Sequence, residues 1–227
     1  MRLPPHAAVT TLLLAAACSH HPAPPPLLSA PIAPNVLGAH ASRPHPGRLE
    51  ASSRAAVVAR ARALLNGLDH GEPSTGGITF GADPVGCVQA AYWAAELDLV
   101  DPKIAADETA HGMEILFRSA AVRRWLHKQT PKPGDLVFFD RDRRESALYP
   151  SQAAVVDAVR DDGTVSAVGC FADGPARVAL NLREPSRAKA DDRRINDVLS
   201  GAESGTAAQL FRAFADPFAG TLPGSKR

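Results

Sequence analysis

Cysteine and histidine are the residues of this chain that could form or break covalent bonds. Three cysteines are present, Cys18, Cys87 and Cys170, and eight histidines, His6, His20, His21, His40, His45, His70, His111 and His127. A thiolate with an imidazole to move its proton is a hydrolase pairing. The thiolate is best placed at a helix N-terminus, where the dipole lowers its pKa. One stretch has that form: Asp83-Pro84-Val85-Gly86-Cys87-Val88. Asp83 reads as a helix N-cap and Pro84 as the first helical residue. Proline brings no nucleophile to that place. Cys87 lies almost one turn further along and about 60° round the axis. No histidine follows His127, so the C-terminal hundred residues hold no imidazole base.

The elements around this stretch divide into helices and then strands. Residues 49–68 carry an amphipathic helix with Ala56, Val57, Ala61, Leu64, Leu65 and Leu68 on its apolar stripe and Arg54, Arg60 and Arg62 toward water. Asn66-Gly67 offers a stop. His70 to Ala82 is a Gly-rich loop. The helix opened by Asp83 runs to about Ala95, and a third helix spans about His111 to Arg124. Pro133-Gly134 then turns into a strand over Leu136–Phe139. Gln152–Val159, Thr164–Cys170 and Ala176–Leu182 read as an antiparallel meander, with Asp161-Asp162-Gly163 as a tight turn. Residues 195–199 and 207–215 are expected as short closing helices, with Leu210, Phe211 and Phe214 inward. Helices first and sheet afterwards argue an α+β fold.

Together these pieces resemble the NlpC/P60 family of papain-like cell-wall peptidases, which is close to the CHAP amidases. The resemblance covers about residues 54 to 216. Pro133-Gly134-Asp135-Leu136-Val137-Phe138-Phe139 is similar to that family's Pro-Gly-Asp-Leu-Val-Phe-Phe. Gly86, Val88, Tyr92, Leu97, Asp98 and Leu99 fall in register with its Asp-Cys-Ser-Gly-Phe-Val helix and the segment after it. Ala179-Leu180-Asn181-Leu182-Arg183 and Ile195-Asn196-Asp197 also look like part of this group. The resemblance implies a papain-like fold and a cysteine, histidine and polar residue acting on peptidoglycan stem peptides. Carried over residue by residue, the nucleophile place is Pro84, the base place Gln152 and the orienting place Gly169. All three are vacated. Asp83, Pro84, Gln152 and Gly169 are expected to line a vestigial cleft.

The N-terminus resembles a lipoprotein signal. Arg2 precedes an apolar run with Leu12-Leu13-Leu14, and Ala15-Ala16-Ala17 leads to Cys18 as the lipidation site. Residues 19–48 form a Pro- and Ala-rich tether, which fully stretched would reach about 90 Å. Residues 49–218 are the NlpC/P60-like domain, and 219–227 a flexible tail. The histidines of the tether lack ligand spacing and read as solvated linker. The expected location is the periplasm or the outer surface of a bacterial membrane.

The net charge of +1 gives no field for nucleic acid. No cofactor is implied, and no metal: Asp140-Arg141-Asp142-Arg143-Arg144 reads as a solvated loop and Asp135 as part of its turn. The partners expected are a stem peptide or a wall-active protein, with the membrane reached through Cys18. Cys87 and Cys170 stand either as a disulfide or as two buried thiols. The expected role is a non-catalytic pseudoenzyme. Two alternatives are an endopeptidase or amidase using Cys87 with His111 or His127, and a structural lipoprotein that docks to another protein.

Overall fold

A computed structural model describes residues 50–67, 72–142 and 147–219. Cys18, the tether and residues 220–227 of the tail lie outside the described residues. The described chain is α+β, with helices packed on an antiparallel sheet of six strands.

Helix α1 (Glu50–Leu64) turns Val57, Val58, Ala61 and Leu64 inward and ends before Gly67, whose φ of +114° suits glycine. Arg54 was expected to face water and does not. It lies three and four residues before Val57 and Val58, on the buried stripe. Asp135, only 1% exposed, accepts from its guanidinium at 2.6 Å. Glu50 and Asp216 also accept from it, and Phe218 stacks beneath. Gly134, at φ +88°, lets α1 approach this turn: a Cβ there would stand 3.2 Å from the Arg54 side chain.

A small hairpin, β1 (Ser74–Thr75) and β2 (Ile78–Thr79), interrupts the expected loop. Arg60 bonds to it through Ser74 and Thr75. Helix α2 (Pro84–Trp93) follows, then the single turn α3 (Pro102–Ala105) capped by Asp101, then α4 (Gly112–Val122).

The sheet comprises β3 (Leu126–His127), β4 (Leu136–Phe139), β5 (Gln152–Val159), β6 (Val165–Phe171), β7 (Gly174–Leu180) and β10 (Phe211–Ala215), in the order β3-β10-β4-β5-β6-β7. The meander β5-β6-β7 agrees with the alternation in the sequence. A short hairpin, β8 (Lys189–Ala190) and β9 (Arg193–Arg194), stands apart.

Residues 207–215 are not a helix as expected. β10 enters the sheet between β3 and β4. Phe211 and Phe214 sit at a spacing that mimics a helix. The register shifts between Phe211 and Ala213, and that extra residue brings both rings to one face, 4.6 Å apart. Residues 195–199 are not helical either. Asn196 Oδ1 accepts from the Asn181 N–H, and Asp197 Oδ2 from the Ala179 N–H. These side chains take up backbone bonds along the edge strand β7 instead of allowing a helix.

Alternation along the strands divides the core. Leu136, Phe138, Ala153, Val155 and Val168 pack with Val57, Val88, Tyr92 and Leu116 of the helices. Val137, Phe139, Ala154, Val156, Ala167 and Phe171 pack with Leu199, Ala207 and Leu210 on the other face. The sheet is therefore covered on both sides, by helices and by the irregular C-terminal segment.

Candidate functional site

The start of α2 is the place where sequence and resemblance put the chemistry. Asp83 has extended backbone, and its carboxylate accepts from the N–H groups of Val85 and Gly86 at 2.8 Å each. Pro84 opens the helix, where a missing N–H leaves no gap. The loop at Gly81 lies directly against this turn. A Cβ on Gly86 would stand 2.0 Å from the Gly81 carbonyl oxygen. Only glycine fits there.

Cys87 is 1% exposed and faces the sheet, where its sulfur is bonded to that of Cys170 with Cα atoms 6.0 Å apart. Leu64 completes this small cluster. Of the two states open in the sequence, the bonded one is formed. A sulfur held this way is neither a thiolate nor reachable by substrate. Cys87 in this state therefore cannot act as the relocated nucleophile.

The other expected cleft residues lie elsewhere. Gln152 opens β5 on the same side as Ala154 and Val156, away from the helices. Its Nε2 donates to the Ser200 carbonyl at 3.0 Å. Gly169 shares that face with Ala167 and Phe171. A Cβ on Gly169 would stand 2.8 Å from the Ala153 carbonyl oxygen and 2.9 Å from the Ala154 Cβ, so no orienting side chain fits. Asp83 and Pro84 are thus on the helical side of the sheet, and Gln152 and Gly169 point to the opposite side. The four do not meet in one cleft. The physical reason is the two-residue period of β5: Ala153, not Gln152, faces α2.

The two histidines considered as partners are also placed. His111 caps α4 through its backbone and is exposed. His127, on β3, turns Nε2 toward Asp135 Oδ2 at 3.4 Å and packs its ring on Phe214 at 5.8 Å. His70 is outside the described residues. Among the described residues no group of three or more His, Cys, Asp or Glu side chains could hold a metal ion.

A cavity of about 570 Å³ opens beside His127. Phe117, Leu126, His127, Lys128, Asp140, Phe211, Arg212 and Ala213 line it. Asp140 is not in a solvated loop as expected. It follows β4, with its side chain 16% exposed and Oδ2 accepting from Arg212 Nη1 at 3.4 Å. Burial raises its carboxyl above the ordinary range, and Arg212 opposes that. His127 Nδ1 and Asp140 Oδ1 are both buried without a protein partner. Sequence spacing could not assemble this group, because β3, the end of β4 and the bulge of β10 each supply one member.

No family model, no curated protein and no solved structure matches this chain.

Proposed function

We propose that this protein is an exported envelope component of NlpC/P60-like, papain-like architecture that binds peptidoglycan stem peptides without cleaving them. The observation that carries the reading is the start of α2. Pro84 stands where a thiolate would attack, and the nearest sulfur, Cys87, is bonded to Cys170. The first-turn N–H groups are already taken by Asp83, so the donors that would hold an oxyanion are occupied. Helices over an antiparallel sheet suit the architecture the motifs imply. The disulfide suits an oxidising compartment outside the cytoplasm, and lipid on Cys18 would hold the domain at a membrane.

The test is incubation of the full chain with purified peptidoglycan, read by mass spectrometry of the supernatant and by co-sedimentation. Co-sedimentation without released peptide is expected. Peptide release that grows with time would overturn the non-catalytic half of the reading, and failure to sediment with the wall would overturn the binding half.

A further inference from the structure

Asp157 holds two arginines at once. A bulge in β5 places it: Val156 pairs with Ala167 but Ala158 with Ser166, which leaves Asp157 as the extra residue. Val155 faces the helices, and the Asp157 carboxylate turns to the same side. Arg62, in the last turn of α1, donates to its Oδ1 through Nε. Nη2 of the same guanidinium lies 3.5 Å from the Asp157 carbonyl oxygen. Arg177 comes from β7, two strands away, and crosses β6 to bring its Nε within 3.0 Å of Oδ2. The carboxylate is only 6% exposed, whereas the two arginine side chains are 54% and 50% exposed.

One cation neutralises one carboxylate, so the second leaves an excess of positive charge. Among the described residues no other acid lies within 4.0 Å of either guanidinium. Donors are in excess as well. Arg62 spends its Nε and Nη2 edge on Asp157 and has no acceptor on Nη1. Arg177 meets Oδ2 as an ion pair without a hydrogen bond among the described residues, so the donors of its guanidinium are uncommitted. Both cations rest on the two oxygens of one carboxylate and are therefore neighbours that repel each other. Holding two long side chains in this way also costs rotamer entropy. An anion on the solvent side relieves the repulsion and takes up the donors. A carboxylate has two oxygens in one plane and is matched by a single guanidinium fork. The tetrahedral oxygens of a phosphate can accept from two forks that approach from different directions.

We infer that Arg62 and Arg177, held from behind by Asp157, form a surface site for a phosphate group, carried either by inorganic phosphate or by the phosphodiester of a lipid headgroup. Asp157 is a positioning residue: it fixes the guanidiniums from the buried side and leaves the outer side to the ligand. This site is separate from the start of α2 and does not rest on how Pro84 is read.

The test is an NMR titration of the full chain in non-ionic detergent at constant ionic strength, following the arginine Nε–H signals. Inorganic phosphate is one ligand, and glycerophosphoglycerol, the headgroup of an anionic lipid, is the other. Saturable shifts of the Arg62 and Arg177 signals are expected with at least one of them. Arg62→Gln and Arg177→Gln should each weaken that binding by about tenfold. Each variant changes an exposed side chain and leaves Asp157 its other arginine, so the fold is kept. Arg193→Gln, at an exposed position on β9, should leave the binding unchanged. Tighter binding of the diester would support the inference with a lipid headgroup as the source, and tighter binding of phosphate would support it with the free ion. Absence of a saturable shift with both ligands would overturn it. So would undiminished binding in Arg62→Gln and Arg177→Gln, or an equal loss in Arg193→Gln, which would make the effect one of general charge.

Discussion

Reduction of Cys87–Cys170 should lower stability sharply while leaving the native packing in place. The bond joins residues 83 apart in sequence. Closing a loop of that length in the unfolded chain corresponds to about 4.5 kcal/mol at 25 °C in the chain-entropy model. The folded state gives little back, because α2 already packs on the sheet through Val88, Ala91 and Tyr92. For a domain of this size about 2–4 °C of melting temperature is lost per kcal/mol, so the reduced protein should melt roughly 9–18 °C lower. Both sulfurs are buried, so the protein is unfolded in reductant and refolded before the melt. Circular dichroism melts of oxidised and reduced protein are then compared, with Cys87→Ala/Cys170→Ala as the chemical control. That variant also loses buried sulfur beside Leu64 and should fall somewhat further. Peptide mapping confirms the redox state. Superimposable melts with both thiols verified as reduced would refute the reasoning, because the crosslink would then not restrict the unfolded chain.

Gly86→Ala should cost about 3 kcal/mol or more in urea unfolding, at the upper end for overpacking, because the added methyl meets the Gly81 backbone; an unchanged midpoint would mean that this loop yields freely. Arg54→Met should cost about 3–5 kcal/mol by leaving Asp135 and Asp216 without their cation, and adding Asp135→Asn should recover part of that loss in the same assay. Asp107 should titrate at about 2 by carbon-detected NMR, held down first by the Thr109 hydroxyl and then by Arg118. Its folded value lies below the unfolded one, so what it contributes is present above pH ~4 and fades as pH falls toward the folded value; Thr109→Val should move the titration upward. Pro84→Cys/Gln152→His should release no stem peptide, since thiol and imidazole would sit on opposite sides of the sheet, and recovered hydrolysis would refute that assignment of faces.

Local rules were enough for much of the fold. The Asp83-Pro84 cap, the Gly67 stop, the Pro133-Gly134 turn and the β5-β6-β7 meander each rest on a few adjacent residues, and each stands as expected. What was not legible depended on distant partners. Arg54 is drawn inward by Asp135, which is 81 residues away in the chain. Residues 207–215 carry a helical spacing of aromatics that a β-bulge reproduces in a strand. Asn196 and Asp197 are ordinary helix residues until the free N–H groups of β7 claim their side chains. The site failed for a similar reason. Placing Gln152 as a base position needed the facing of β5 to be known to one residue, and a one-residue difference sends the side chain to the other side.

The start of α2 has the parts of a catalytic helix turn, with each one committed to structure. A reactive thiolate needs exposure and an unspent helix dipole. Here the dipole end meets Asp83, which takes the Val85 and Gly86 N–H groups. The turn is closed by Gly81 against Gly86, and Cys87 is used to fasten α2 to β6. Changing any one of these features would leave the other two in place, so a single substitution would not make this turn reactive. Among the described residues the buried side-chain polar atoms without a hydrogen-bond partner are His127 Nδ1, Asp140 Oδ1 and Gln152 Oε1, and none belongs to this turn. His127 Nδ1 and Asp140 Oδ1 are buried beside a cavity with cations at its rim. Both residues keep a partner through their other polar atom, Asp140 Oδ2 with Arg212 and His127 Nε2 with Asp135.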